Sequence, residues 1–126
     1  MEPIRRFSVP PPKKVSEEMK AWAAALAGEM ATWPHVRSRV FFGYRAFYRR
    51  DAIFALLPRT RALDPPSSIA FKLESALPRI RARAKQDPRV GFTEMRKARW
   101  FTFELTSDGD LRDALAWLQR AYDAAA

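Results

Sequence analysis

Between positions 16 and 32 apolar residues recur at helical spacing, with Met19, Trp22, Ala23, Leu26 and Met30 on one stripe. Ser16 stands in front of that stripe as an N-cap, and Glu17 and Glu18 suit the positive end of the helix dipole. Pro34 biases Trp33 away from helical angles, so the helix is expected to stop near Thr32. The period then changes. The short aromatic and β-branched runs Val40 to Tyr44, Ala46 to Arg49 and Ala52 to Leu57 predict three strands, punctuated by Gly43 and the polar turn Arg50-Asp51. Pro58, Asp64, Pro65 and Pro66 mark a loop. Beyond it Ile69, Phe71 and Leu73 alternate with Ala70 and Lys72, as in a half-buried strand.

A second helix fits Ser75 to Gln86, with Pro78 tolerable in its first turn. Leu77, Ile80 and Ala84 share one face of it, and Arg79, Arg83 and Gln86 the other. Asp87-Pro88 closes that helix. Two strands, Phe92 to Met95 and Arg99 to Leu105, are then expected to form a hairpin about a basic turn through Arg96 and Lys97. Within the second of them Phe101, Phe103 and Leu105 fall on one face and Trp100, Thr102 and Glu104 on the other. A last helix is capped by Asp110 and buries Leu111, Ala114, Leu115, Leu118, Ala121 and Tyr122. The fold class expected is α+β, a mainly antiparallel sheet of about five to six strands packed with N-terminal, middle and C-terminal helices.

The chain has 126 residues, enough for one core and not for two. Residues 1 to 14, with Pro3, Pro10, Pro11, Pro12, Arg5, Arg6, Lys13 and Lys14, carry neither period and are expected to form a flexible Pro-rich basic arm before a single domain over 15 to 126. Cysteine is absent, which excludes disulfide scaffolds, thiol catalysis and cysteine metal sites, and a single histidine, His35, excludes a histidine-rich metal centre. The longest apolar run is too short to span a bilayer, and a cytosolic location is expected. The net charge of +9 is unevenly placed. Residues 37 to 99 hold sixteen Lys/Arg against five Asp/Glu, whereas residues 100 to 126 hold two against five. A basic centre between near-neutral and acidic ends suits an anionic partner, although arginine-rich surfaces also serve simply as solvated faces.

Candidate chemistry follows from that placement. Gly-rich phosphate loops, nucleophile elbows and metal-spaced clusters are missing from the sequence, and neither catalysis nor a cofactor is expected. His35 follows Pro34 in a turn, and Glu94 and Glu104 read as solvated partners of neighbouring arginines rather than a carboxylate pair. Phosphate neutralisation needs several cations presented together. Arg49 and Arg50 in one turn, Arg96, Lys97 and Arg99 in the other, and Arg79 and Arg83 on the middle helix form the candidate DNA-contacting set, without bidentate base readout. Charged turn tips also discourage edge aggregation, which is the alternative use of the same residues. The aromatic residues of VFFGYRAFYRR are read mainly as core, and Trp22 and Trp117 likewise. A third arrangement is a pocket lined by Tyr44, Tyr48, Lys72 and Trp100 that takes a small anion or a protein partner in an adaptor or ligand-binding module.

Four segments, FFGYRAFYRRDAIFALLP, SIAFKL, RKARWFTFEL and ALAWLQRAYD, taken in order over roughly residues 20 to 124, resemble the MmcQ/YjbR family, which is related to the TfoX N-terminal domain. The matching features are the Trp33-Pro34 turn, the strand Phe54 to Leu57, the strand Ile69 to Lys72, Lys97 followed by Trp100, and Tyr122 near the end of the last helix. Family members often place a histidine just before the tryptophan, where this chain has Arg99. The resemblance implies helices packed on a curved antiparallel sheet and a DNA-binding role.

Overall fold

The computed structural model of the chain describes residues 14–73, 78–92 and 99–125. Most of the N-terminal arm, residues 75–77 of the middle helix, Glu94 and the turn residues Arg96 and Lys97 lie outside the described residues. Ser16 caps the first helix as expected: its Oγ accepts the Met19 amide at 3.0 Å and opens α1, Glu17–Met30. Six described strands follow: β1 Val36–Phe41, β2 Tyr44–Arg49, β3 Ala52–Pro58, β4 Ser68–Lys72, β5 Val90–Phe92 and β6 Trp100–Glu104. Helix α2, Pro78–Gln86, lies between β4 and β5, and α3, Leu111–Ala124, ends the described chain. The strands form one sheet in the order β1-β2-β3-β4-β6-β5, with every neighbouring pair antiparallel. The α+β class is therefore as the periodicity predicts.

Three boundaries differ from the sequence reading, each for a local reason. The run Val40 to Tyr44 is not one strand but is cut by a two-residue turn at Phe42-Gly43, where φ is 51° and 86°. Two successive positive φ values suit the right-handed twist of a hairpin, and phenylalanine is a rare occupant of the first of these positions. Gly43 is required here: its carbonyl accepts the amides of Arg59, Thr60 and Arg61, and a Cβ would lie 2.8 Å from the Arg61 Cβ. Strand β5 begins at Val90 rather than Phe92, because the Val90 amide donates to the Asp87 carbonyl at 2.9 Å and turns the chain directly out of α2. Asp110 does not cap α3 through its side chain. Its Oδ2 accepts from the Thr106 and Ser107 amides instead, closing a short 3-10 turn, Asp108–Asp110, ahead of the helix.

All three helices pack on one side of the sheet, α1 and α3 across β3, α3 also across β4, and α2 beside β5. Phe47, Phe54, Ile69, Phe71, Phe101 and Phe103 point into that layer and are buried against Trp22, Leu26, Trp117 and Leu118. The β2–β3 pairing contains a bulge, so Phe54 and Ala55 both face the helices. Phe54 then meets Trp33 and Tyr122, with ring centroids 6.4 Å and 5.6 Å away. Tyr122 Oη donates to the Pro34 carbonyl at 2.7 Å, tying the end of α3 to the turn after α1. Tyr122→Phe keeps the ring and loses only this bond. Since Pro34 is exposed and its carbonyl can be rehydrated, a loss of about 1 kcal/mol in urea unfolding with an unchanged m-value is expected.

Candidate functional site

Strand alternation divides the sheet into a helix-covered face and a face that carries none of the described helices. Arg49 fixes the assignment, because its Nη1 donates to the Tyr122 carbonyl at 3.0 Å and its guanidinium sits 4.3 Å from the Tyr122 ring centroid. Tyr48 therefore faces the open side. The register then places Arg37 and Ile53 beside Tyr48, and Lys72 beside Trp100, on that same side. All five are half-buried except Arg37, which is exposed. Strand spacing puts Tyr48 on β2 and Trp100 on β6 about 14 Å apart, with Ile53 and the stem of Lys72 between them.

The middle of the open face is small and aliphatic. Ala46, Leu56, Ala70, Thr102 and Gly91 succeed one another across it, with Arg39 at the β1 edge. Over this trough the β3–β4 loop brings Asp64 and Pro65, which with Ala70, Gly91, Thr102 and Trp100 border a cavity of about 210 Å³. Ser68 Oγ donates to the Pro65 carbonyl and holds the loop in place. A second hollow, of about 380 Å³, lies at the β1 edge between Arg37, Arg39, Tyr48 and Asp51. Arg37 Nη2 pairs with Asp51 Oδ1 at 2.6 Å, but both side chains are mostly in solvent, where such a pair is worth little and exchanges readily.

Of the residues expected to bind phosphate, Arg96 and Lys97 lie outside the described residues, and the other five are not gathered on one surface. Arg49 is spent on α3. Arg50 is exposed at the β2–β3 turn with φ 56°, its amide donating to the His35 carbonyl at 2.9 Å. Arg99 adjoins the start of β6, its carbonyl accepting the Leu73 amide at 2.9 Å. Antiparallel order places the β2–β3 turn and the start of β6 at the same end of the sheet, the end that also holds Tyr48, Lys72 and Trp100. Arg79 and Arg83 are exposed on α2, on the helix-covered side, and Arg83 lines a cleft against α3. Of the candidate pocket residues, Tyr48, Lys72 and Trp100 share one end of the open face, while Tyr44 lies at the other end, opposite Pro58. These four residues share a face, and on it Tyr48 and Trp100 border different hollows.

Arg37 and Arg39 are the cations the sequence reading missed, because VRSRV carries too few apolar residues to declare a strand; its Arg-x-Arg spacing was the available signal. Also missed was the ion cluster at the other end of the helix layer. Arg89 donates to Asp87, to Asp110 Oδ1 at 3.1 Å, and reaches Asp113 Oδ2 at 3.1 Å. Its hydrogen bonds hold the Asp87 carboxyl below its ordinary range, and the Thr106 amide does the same for Asp110. Among the described residues no group of three His, Asp or Glu side chains is placed to hold a metal ion, and no helix is long and apolar enough to cross a membrane. Comparison of the chain with family models, with curated proteins and with solved structures finds no match to any of them.

Proposed function

We propose that this protein binds nucleic acid without base readout, laying an extended single strand across the open face of its sheet. The observation that carries the reading is the placement of Tyr48 and Trp100, both half-buried, at one end of the sheet face that carries none of the described helices, with Arg37 and Lys72 beside them. Aromatic rings accept any base by stacking, and neighbouring cations neutralise the backbone, so affinity arises without a sequence code. A sheet face of this kind suits unpaired bases better than a duplex, whose bases are stacked inside and whose grooves admit a helix or a narrow ribbon. Arg50 and Arg99 at the same end of the sheet extend the positive field along the strand's path. The resemblance to the MmcQ/YjbR family, with its DNA-binding label, points to the same class of partner.

The test is fluorescence anisotropy with a labelled oligonucleotide, single-stranded and as a duplex, over a salt series. The single strand is expected to bind more tightly, and Trp100→Ala and Tyr48→Ala to weaken it roughly tenfold each with little change in unfolding midpoint. Lys72→Ala should weaken all sequences alike and reduce the salt slope by about one. A duplex preference, or Trp100→Ala binding as the parent does, would remove the open face as the site and leave an adaptor or small-ligand role with incidental charge.

A further inference from the structure

On the opposite side of the molecule, α2 and α3 enclose a cleft of about 310 Å³ in which three arginines meet. Arg89 is saturated, with three carboxylates around one guanidinium. Arg83 and Arg120 have no carboxylate within ion-pairing distance and no hydrogen bond among the described residues. Arg120 is held over the Trp117 ring, 4.4 Å from its centroid, and Trp117 is itself stacked on Phe71 at 5.5 Å. An arginine fixed against an indole loses little further freedom on binding, so its outward N–H groups are organised for an oxyanion. Burial and the neighbouring Arg83 charge push the Arg120 guanidinium down from its ordinary range, with Asp113 acting the other way. Two like charges facing a common space are relieved by an anion placed between them.

We propose that Arg83 and Arg120 form a binding site for a phosphomonoester dianion, with Gln86 lining the same cleft. Two guanidinium charges match a dianion, and their forked donors suit phosphate oxygens better than a single ammonium would. The acidic residues do not cancel the site. Asp87, Asp110 and Asp113 all pair with Arg89, and Asp113, which lines the same cleft, offsets the Arg120 charge only in part. This inference concerns the helix-covered side and does not depend on the nucleic-acid reading of the open face.

Thermal unfolding of the full chain in inorganic phosphate and in glucose 6-phosphate, at ionic strength held constant with chloride, tests it. The melting temperature of the parent should rise saturably with both ligands, as for any ligand bound only by the folded state. Arg83→Ala, an exposed and structurally mild change, should weaken the response roughly tenfold or more, since a charge-assisted bond is lost. Arg79→Ala, on the same helix but outside the cleft, should respond like the parent. Quenching of tryptophan fluorescence by the same ligands gives a second readout that does not depend on unfolding. A parent with no saturable response to either ligand, an Arg83→Ala variant that responds equally, or a response to inorganic phosphate alone would each overturn the assignment.

Discussion

Truncating Phe71 to alanine is expected to lower stability by about 3–5 kcal/mol, the range for a large aromatic removed from a closed core. Phe71 has no exposed surface and lies between two other rings, with centroids 5.6 Å from Phe101 and 5.5 Å from Trp117 and interplanar angles of 15° and 20°. The loss combines lost burial with a cavity that cannot collapse, because β4 is paired on both sides and cannot move inward without breaking its ladders. Against a total of roughly 5–15 kcal/mol for a domain, such a change brings the chain near its unfolding threshold. Urea denaturation measures it directly. Ile53→Ala on the open face, where the side chain is already half in solvent, should lose less than half as much. Comparable losses at the two positions would mean that the two faces of the sheet are not buried as unequally as the helix layer implies. Because Trp117 rests on Phe71 and carries Arg120, the same variant should also loosen the α2–α3 cleft, so binding measurements there belong with Phe71 intact.

The elements that could be read from the sequence are those in which local pattern and tertiary burial agree. Ile69, Phe71 and Leu73 alternate in sequence and are all buried, and Ser16 caps α1 as its position before Glu17 and Glu18 suggests. Of the predicted stripe of α3, Ala114, Leu118, Ala121 and Tyr122 are buried and Leu111 and Leu115 only half-buried, while Trp117 joins the buried set. Legibility fails where one principle overrides another. Phe42 counts toward a strand by propensity, yet the hairpin needs a residue with positive φ at that point, and Gly43 beside it is the only marker. Val36 to Val40 reads as polar because β1 is an edge strand with neither face deeply buried, so its arginines carry no hydrophobic period.

The candidate site was legible in its residue types and not in its grouping. Alternation alone puts Trp100 opposite Phe101, and the same rule separates Tyr48 from Arg49, so their division between open and covered faces follows from period two. Which cations join them does not. That Lys72 pairs with Trp100, or that Arg83 faces Arg120, depends on strand order and on the path of α2 across the sheet edge, which no local pattern encodes. Arg49 illustrates the difficulty. Next to Arg50 in a turn it reads as a phosphate contact, yet the Tyr122 ring and carbonyl claim it from a helix 73 residues away in sequence.

Replacing Arg89 by methionine is expected to destabilise the fold by about 2–3 kcal/mol near neutral pH, somewhat less than a fully buried ion cluster would lose because the guanidinium is 34% exposed. Methionine retains part of the cover over Phe103, whose ring centroid lies 4.8 Å from the arginine carbon, so most of the loss is electrostatic. The carboxylates of Asp87 and Asp110 are only 16% and 15% exposed, and without Arg89 they stay largely out of water with fewer partners. Asp87 keeps the backbone amide of residue 89, and Asp110 keeps Thr106 and Ser107. Arg89→Lys should recover little, because one ammonium cannot fork between three carboxylates. The pH dependence separates ion pairing from packing. Both aspartates have folded values below the ordinary one of about 3.9, so the stability they contribute is complete above that value and is lost as pH falls through their lowered values. The difference between parent and Arg89→Met should therefore be largest at about pH 7 and narrow steadily below about pH 4, as the carboxyls protonate and the pairing disappears from the parent as well. An equal loss at both ends of that range would assign the effect to the cover over Phe103 and take the ion cluster out of the account of stability.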